Sequence, residues 1–279
     1  MEPLTSTMAY SEVTLPFAEL QNLALLLLFV FPAFSFIGHF VGRSVRKKRL
    51  KAGKEIDLRA GETTMGTVLG ILGLLLAFSF GNGLSLSRTA KEVLINEAAA
   101  IGTAFARADY LSEPGKSEIK LAIYTYASTR IVPEHYEIDT SEKVLSFLDA
   151  SLRKQADLWP LTLKVTADPL PVPMKTFFAG SINDVLDAHL SRTQTLFEPV
   201  SALSQFMVFG AALTAMFLMG NRSGVLGRTL TWRTFLLSLF LVFILFTIAD
   251  THRFEEGWVQ LDDSAMRATL ADMESALGL

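Results

Sequence analysis

Four long runs of apolar residues constrain what this chain can fold into. They lie at about residues 20–41, 65–86, 200–219 and 230–249, and none of them contains an acidic residue. A helix needs roughly 20 apolar residues to cross about 30 Å of hydrocarbon. Only 19% of the residues are charged, against about a quarter in a soluble domain. Buried core helices of a soluble protein do not account for four such runs, so we predict an all-α membrane protein with four transmembrane helices.

The distribution of Lys and Arg predicts the orientation of these spans. The loop between the first two runs holds eight basic residues, the loop between the last two adds Arg222, Arg228 and Arg233, and the N-terminal tail has none. Basic short loops stay in the cytoplasm. Both termini and residues 87–199 are therefore expected outside. The basic cluster from Arg46 to Lys54 is also expected to lie against anionic lipid headgroups. Residues 1–17 lack the basic region of a signal peptide.

Residues 87–199 are predicted to form a helical extramembrane domain inserted between spans 2 and 3. The second span is expected to continue as one helix to about Leu111, because five apolar residues beyond it share one face: Leu94, Ala98, Ile101, Phe105 and Ala108. Further helices are expected over about 115–131, 141–158 and 174–197, separated by prolines. Residues 1–86 then hold the first two spans, and 200–279 hold the last two with an acidic tail.

Two stretches resemble the bacterial bestrophin-like membrane proteins, a family of unknown function: MGTVLGILGLLLAFSFGNGLSLSR from Met65 and NEAAAIGTAFARADYL from Asn96. The resemblance extends to Arg130, to Trp159, to the helix that carries Asn183, Asp187 and Arg192, and to Asp250-Thr-His-Arg253 with Gly257. It implies a multi-pass protein of the bacterial inner membrane, related to bestrophins. Those are pentameric anion channels whose second span lines the pore and whose helical domain is cytosolic. The charge pattern places the helical domain of this chain outside instead.

One face of the second span is the candidate pore lining. It carries Leu74, Phe78, Asn82 and Ser85, and Arg88 follows at the predicted outer end. In an oligomer these residues could form an apolar constriction that opens into a polar vestibule. The alternative for Asn82 is an interfacial position where it hydrogen-bonds water. The alternative for Arg88 is a structural ion pair with Asp250.

Gly66, Gly70 and Gly73 also lie on this span, at spacings of four and three. Small residues at such spacing let membrane helices pack closely. Helix packing is the favoured role, and flexibility of a pore lining is the alternative.

Six polar residues are expected to have structural roles: Glu97, Asn183, Asp187, Arg192, Asp250 and Arg253. Asp250 is expected to pair with Arg88 or Arg253. His189 lies on the apolar stripe of its helix and is interpreted as a core histidine rather than a metal ligand.

Other classes of function lack their sequence signals. Cysteine is absent, and no zinc-protease motif, calcium loop, phosphate loop or nucleophile elbow is visible. We therefore predict no enzyme activity, metal, cofactor or nucleic-acid partner. The expected partners are the lipid bilayer, further copies of the chain in a homo-oligomer, and small anions. The favoured function is an oligomeric anion channel. The alternative is a non-conducting scaffold or sensor whose outer helical domain binds a partner.

Overall fold

The computed structural model confirms the all-α prediction. It describes residues 20–56, 59, 61–131, 141–167, 169–196, 202–251 and 261–279. Within those ranges the chain forms no strand. The α-helices of the described residues are α1 (Leu20–Lys51), α2 (Glu62–Arg107), α3 (Gly115–Ser128), α4 (Ser141–Val165), α5 (Val172–Leu196), α6 (Ala202–Leu226), α7 (Trp232–Asp250) and α8 (Ser264–Leu277).

Four of these helices, α1, α2, α6 and α7, are long and apolar enough to cross a membrane. They coincide with the four predicted runs to within two residues at the start of α6 and α7, so the number and order of the candidate spans among the described residues agree with the prediction. Two of them continue past the apolar run into polar sequence, with α1 ending at Lys51 and α6 at Leu226.

Helix α2 is unbroken over 46 residues, and at 1.5 Å per residue it is about 70 Å long. The prediction that the second span continues into the middle segment is confirmed. All five residues of its predicted apolar stripe, from Leu94 to Ala108, are buried.

The chain divides into two compact units. We call Ala18–Leu86 with Pro199–Val259 the membrane unit, and Ser87–Glu198 with Gln260–Leu279 the helical unit. Helix α2 contributes its first half to the membrane unit and its second half to the helical unit.

Helices α1 and α6 of the membrane unit run parallel and are in backbone contact. The contact is made by two glycine pairs at a spacing of four, Gly38 and Gly42 on α1 and Gly220 and Gly224 on α6. A Cβ at Gly38 would overlap the carbonyl oxygen of Phe217, and one at Gly220 would overlap that of Ser35. Small residues permit this close approach between membrane helices.

The core of the helical unit is built from α2, α3, α4, α5 and α8. Sequence reasoning treated the segment that contains α8 as an acidic tail. Its apolar residues Met266, Leu270 and Met273 recur at helical spacing and are buried in this core. The helix ends at Gly278, whose φ of 71° suits a glycine C-cap.

Two helix boundaries differ from the prediction. Helix α4 continues past the expected end at 158, through Pro160, to Val165. Leu158 and Val165 on either side of the proline are buried, so core packing offsets the backbone hydrogen bond that proline removes. Helix α5 begins at Val172, with Pro173 in its first turn, where proline is tolerated.

Candidate functional site

The membrane-spanning part of α2 is far less covered than the other three spans. Only 6% of its most apolar stretch is buried within the protomer, against 28% for each of the others. Leu72 is 2% exposed and packs in the core of the membrane unit with α1, α6 and α7. The opposite face of α2 is exposed along its length. Lipid, water or another copy of the chain must cover this face.

The candidate pore residues lie on this exposed face. Leu74 is 57% exposed and Phe78 67%, and Asn82, Ser85 and Arg88 are exposed as well. These side chains are therefore not used to pack the protomer. Arg88 makes no ion pair with any residue in the described ranges.

Gly66, Gly70 and Gly73 lie beside the candidate pore residues on the same exposed face. A Cβ at any of the three would meet no atom within 4 Å. They do not support helix contacts inside the protomer, so the predicted packing role would require a neighbouring chain. The glycines that pack within the protomer are those of the α1–α6 contact. Both pairs have the small-xxx-small spacing that could have identified them from the sequence.

A buried ionic cluster lies in the helical unit and is centred on Glu97 of α2, which is 0% exposed. Its Oε1 accepts a hydrogen bond from Nε of Arg130 at 2.8 Å, and its Oε2 accepts one from Nη1 of Arg192 at 2.8 Å. Arg130 follows α3 and also donates to the hydroxyl of Ser151 on α4 at 3.2 Å. One carboxylate thus connects α2 to α3 and α5, and through Arg130 to α4.

Tyr126 and His189 complete this cluster. The Tyr126 hydroxyl donates to Oε1 of Glu97 at 2.9 Å and lies 3.0 Å from Nδ1 of His189. Since its only proton goes to Glu97, the hydroxyl accepts from Nδ1–H of His189. Burial, and then the charge of Glu97, raise the pKa of Tyr126 well above its usual value. Burial, with the positive charge of Arg130, lowers the pKa of His189 to about 3, so His189 is neutral.

The remaining predicted polar residues lie outside this cluster. Nδ2 of Asn183 donates to Oδ2 of Asp187 one turn along α5 at 3.2 Å, in an exposed position. Asp250 is buried at the end of α7, while Arg253 lies outside the described residues. Arg88 makes no ion pair with a described residue, so its predicted pairing with Asp250 is not observed. The pairing of Asp250 with Arg253 stays a prediction. No group of His, Asp or Glu suited to a metal ion occurs in the described ranges.

Sequence reasoning singled out Glu97, Arg130, His189 and Arg192 separately but did not bring them together. It missed Tyr126 and Ser151 entirely. The members are separated by up to 95 residues, so no local spacing signals the cluster. An acidic residue on the apolar stripe of a helix was the one available sign that a buried cationic partner exists.

The chain is similar in structure to bacterial bestrophin homologues. It aligns with one crystal structure of the homologue from Klebsiella pneumoniae, a point mutant, at a TM-score of 0.62 and 12% identity, over 91% of this chain and 99% of that one. A second point mutant of the homologue aligns at a TM-score of 0.63 and 12% identity, over 95% and 100%. A structure described as a membrane protein aligns at 0.62 and 11%, over 91% and 99%. By sequence, the chain matches no family model and no curated protein.

These alignments define the class of protein: an all-α integral membrane protein with the bestrophin fold. The expected resemblance is confirmed at the level of the fold.

Proposed function

We propose that the protein is an oligomeric anion channel in which the exposed face of α2 lines a shared axis. The observation that carries the proposal is the exposure of α2 in the protomer, where only 6% of its most apolar stretch is buried. A surface that faces lipid tails is predominantly apolar. This one carries Asn82 and Ser85 beside Leu74 and Phe78, and a polar amide within a span is costly unless it faces protein or water.

Each residue of the face has a defined part in this proposal. Rings of Leu74 and Phe78 would form the apolar constriction, which resists ions because water leaves a narrow apolar pore. Asn82 and Ser85 would supply hydrogen bonds to a hydrated ion beyond it. Arg88 would attract anions to the mouth.

The charge of α2 favours anions over cations. Between Thr63 and Lys91 this helix carries no acidic residue, and Arg88 is its only charge. Glu92 follows one turn later and is exposed. A cation channel would instead use acidic rings.

The alternative function, a scaffold or sensor that binds a partner, is favoured by a groove in the helical unit. This groove has a volume of about 560 Å³. Small side chains of α2 form one wall and α8 forms the other; the lining includes Ala99, Gly102, Thr103, Thr269 and Asp272. An exposed groove with small walls can accept a helix from another protein.

Two measurements on the purified full-length protein separate these functions. The mass of the protein in native mass spectrometry gives the number of copies, and chloride efflux from liposomes reports conduction. A channel requires a closed oligomer of several copies together with efflux above that of empty liposomes. A monomer, or an oligomer without efflux, would contradict the channel and leave the scaffold.

A further inference from the structure

The described basic residues of the membrane unit are confined to one end of it. Its described residues include eleven Lys and Arg: Arg43, Arg46, Lys47, Lys48, Arg49, Lys51, Lys54, Arg59, Arg222, Arg228 and Arg233. All of them lie where α1 and α6 end and where α2 and α7 begin. We call this set the basic end of the membrane unit.

Specific contacts hold the two halves of the basic end together. Nη1 of Arg46 donates to the carbonyl oxygen of Val225 near the end of α6 at 3.1 Å. The same guanidinium lies over Gly227, whose φ is 72° and whose missing side chain leaves room for it. Helix α1 therefore lies directly against the start of the loop that leads to α7.

The loop from α6 to α7 has a defined conformation. The backbone N–H of Arg228 donates to the carbonyl oxygen of Ser223 at 3.0 Å. The Ser223 hydroxyl donates to the carbonyl oxygens of Arg228 and Thr229, each at 3.3 Å. These bonds fix the backbone at Arg228 and Thr229. Because the preceding residue, Gly227, contacts Arg46 of α1, Arg228 lies beside the end of α1.

Most charges of the basic end are not neutralised by the protein. Arg222 pairs with Glu62 at 3.3 Å. Eight others are exposed and make no ion pair or side-chain hydrogen bond with any residue that the structure describes: Arg43, Lys47, Lys48, Arg49, Lys51, Lys54, Arg228 and Arg233. Like charges at this density repel each other, so the surface is suited to an anionic partner.

Exposed apolar side chains adjoin these charges and indicate that the charges lie at the membrane–water interface. Phe40 is 66% exposed, Leu50 54% and Trp232 66%. Tryptophan at the end of a span is typical of the membrane–water interface. From Arg43 to Lys51 helix α1 rises about 12 Å, which extends through the headgroup layer of one leaflet.

We propose that the basic end binds anionic phospholipid headgroups. Phosphate oxygens would accept hydrogen bonds from the unpaired Lys and Arg side chains of α1 and of the α6–α7 loop, as at other basic pockets between membrane helices. The adjoining Phe40 and Trp232 would contact the acyl chains. Those apolar contacts favour a lipid over a soluble phosphate compound. The proposal depends neither on conduction nor on which side of the membrane the basic end faces.

Lipid retention by the purified full-length protein tests the proposal. The protein is delipidated in detergent and equilibrated with equal amounts of phosphatidylglycerol and phosphatidylcholine, and native mass spectrometry counts the lipids retained. Wild type should retain phosphatidylglycerol preferentially. Arg228→Gln/Arg233→Gln and Lys47→Gln/Lys48→Gln should each reduce that preference, by up to about fivefold for each charge removed.

A charge-matched control comes from the helical unit. Lys154→Gln/Lys175→Gln removes two positive charges from α4 and α5 and should leave the lipid preference unchanged. Thermal unfolding in the same detergent identifies any variant that does not fold, and the other pair of substitutions then carries the test.

Three outcomes would overturn the proposal. Wild type could retain both lipids equally, or the basic-end variants could keep the full preference for phosphatidylglycerol. Glycerol 3-phosphate could also displace the bound phosphatidylglycerol at the same concentration, which would mean that the surface binds a soluble phosphate rather than a lipid.

Discussion

Arg192 and Glu97 form a buried ion pair that joins α5 to the long helix α2. Nη1 of Arg192 lies 2.8 Å from Oε2 of Glu97, and the side chains are 7% and 0% exposed. Removing two charges from water is costly, and the cost is offset only when the geometry is good and the remaining lone pairs are satisfied. Here Glu97 also accepts from Arg130 and Tyr126, so one carboxylate fixes the second half of α2 within the helical unit.

The first prediction concerns this carboxylate. Glu97→Gln keeps the shape of the side chain but leaves Arg130 and Arg192 buried without their counter-charge. We expect the free energy of unfolding to fall by about 3–5 kcal/mol, as measured by thermal or denaturant unfolding in detergent. Glu92→Gln, at an exposed position of the same helix, is the control and should change stability by less than about 0.5 kcal/mol. Equal stability of the two variants would mean that the cluster does not hold α2.

The second prediction concerns pH. His189 has a pKa of about 3 in the folded protein against 6.5 when free. Between these values the unfolded chain binds a proton that the folded chain does not bind. The free energy of unfolding should therefore fall as the pH falls below about 6.5, by up to about 1.4 kcal/mol per pH unit from this group.

His189→Gln isolates this contribution, because glutamine can still donate to the Tyr126 hydroxyl but does not titrate. Wild type should lose roughly 2–3 kcal/mol more stability than the variant between about pH 7.5 and about pH 4.5. Parallel stability curves for the two proteins would show that His189 has the same pKa in the folded and unfolded chain, and that burial does not lower it.

The third prediction separates two sets of glycines. Gly220→Ala places a methyl group against the backbone of α1, so it should destabilise the protomer by about 1–3 kcal/mol. A Cβ at Gly70 meets no atom within 4 Å and the position is exposed, so Gly70→Leu should leave the protomer folded while weakening association between chains. Unfolding in detergent reports the first effect and native mass spectrometry the second. A Gly70→Leu protein that assembles like wild type would place this face against lipid.

Periodic patterns in the sequence predicted most of the helices. They did not predict the contacts between residues that are far apart in the chain. The apolar stripe through Leu94, Ile101 and Phe105 predicted that α2 continues beyond the membrane, because burial on one face repeats at helical spacing. The Glu97 cluster was not predictable in this way, since side chains on three further elements converge on it. Helix α8 has a periodic signal in Met266, Leu270 and Met273, but a short amphipathic segment among acidic residues resembles a solvated tail. Exposure along α2 is likewise a property of the assembled fold.

The fourth prediction concerns orientation. Every described Lys and Arg of the membrane unit lies at its basic end, which should face the cytoplasm. Because the chain has no cysteine, a thiol reagent labels this protein only at a cysteine that is introduced by substitution. Ser44→Cys should resist an impermeant thiol reagent in intact cells, and Ser128→Cys in the helical unit should react. The reverse labelling would place the helical unit in the cytosol.

The fifth prediction tests conduction through the exposed face of α2. Phe78 is 67% exposed in the protomer, and a ring of this side chain around a shared axis would exclude water from a narrow pore. Phe78→Ala should widen and wet that ring and raise chloride efflux from liposomes. Arg88→Glu should lower efflux, because it reverses the charge that an anion meets at the mouth.

Leu239→Ala, at an exposed apolar position of α7, is the matched control and should leave efflux unchanged. If efflux stays at the level of empty liposomes for wild type and for Phe78→Ala, α2 does not line a pore. The scaffold would then be the better account of its exposed face.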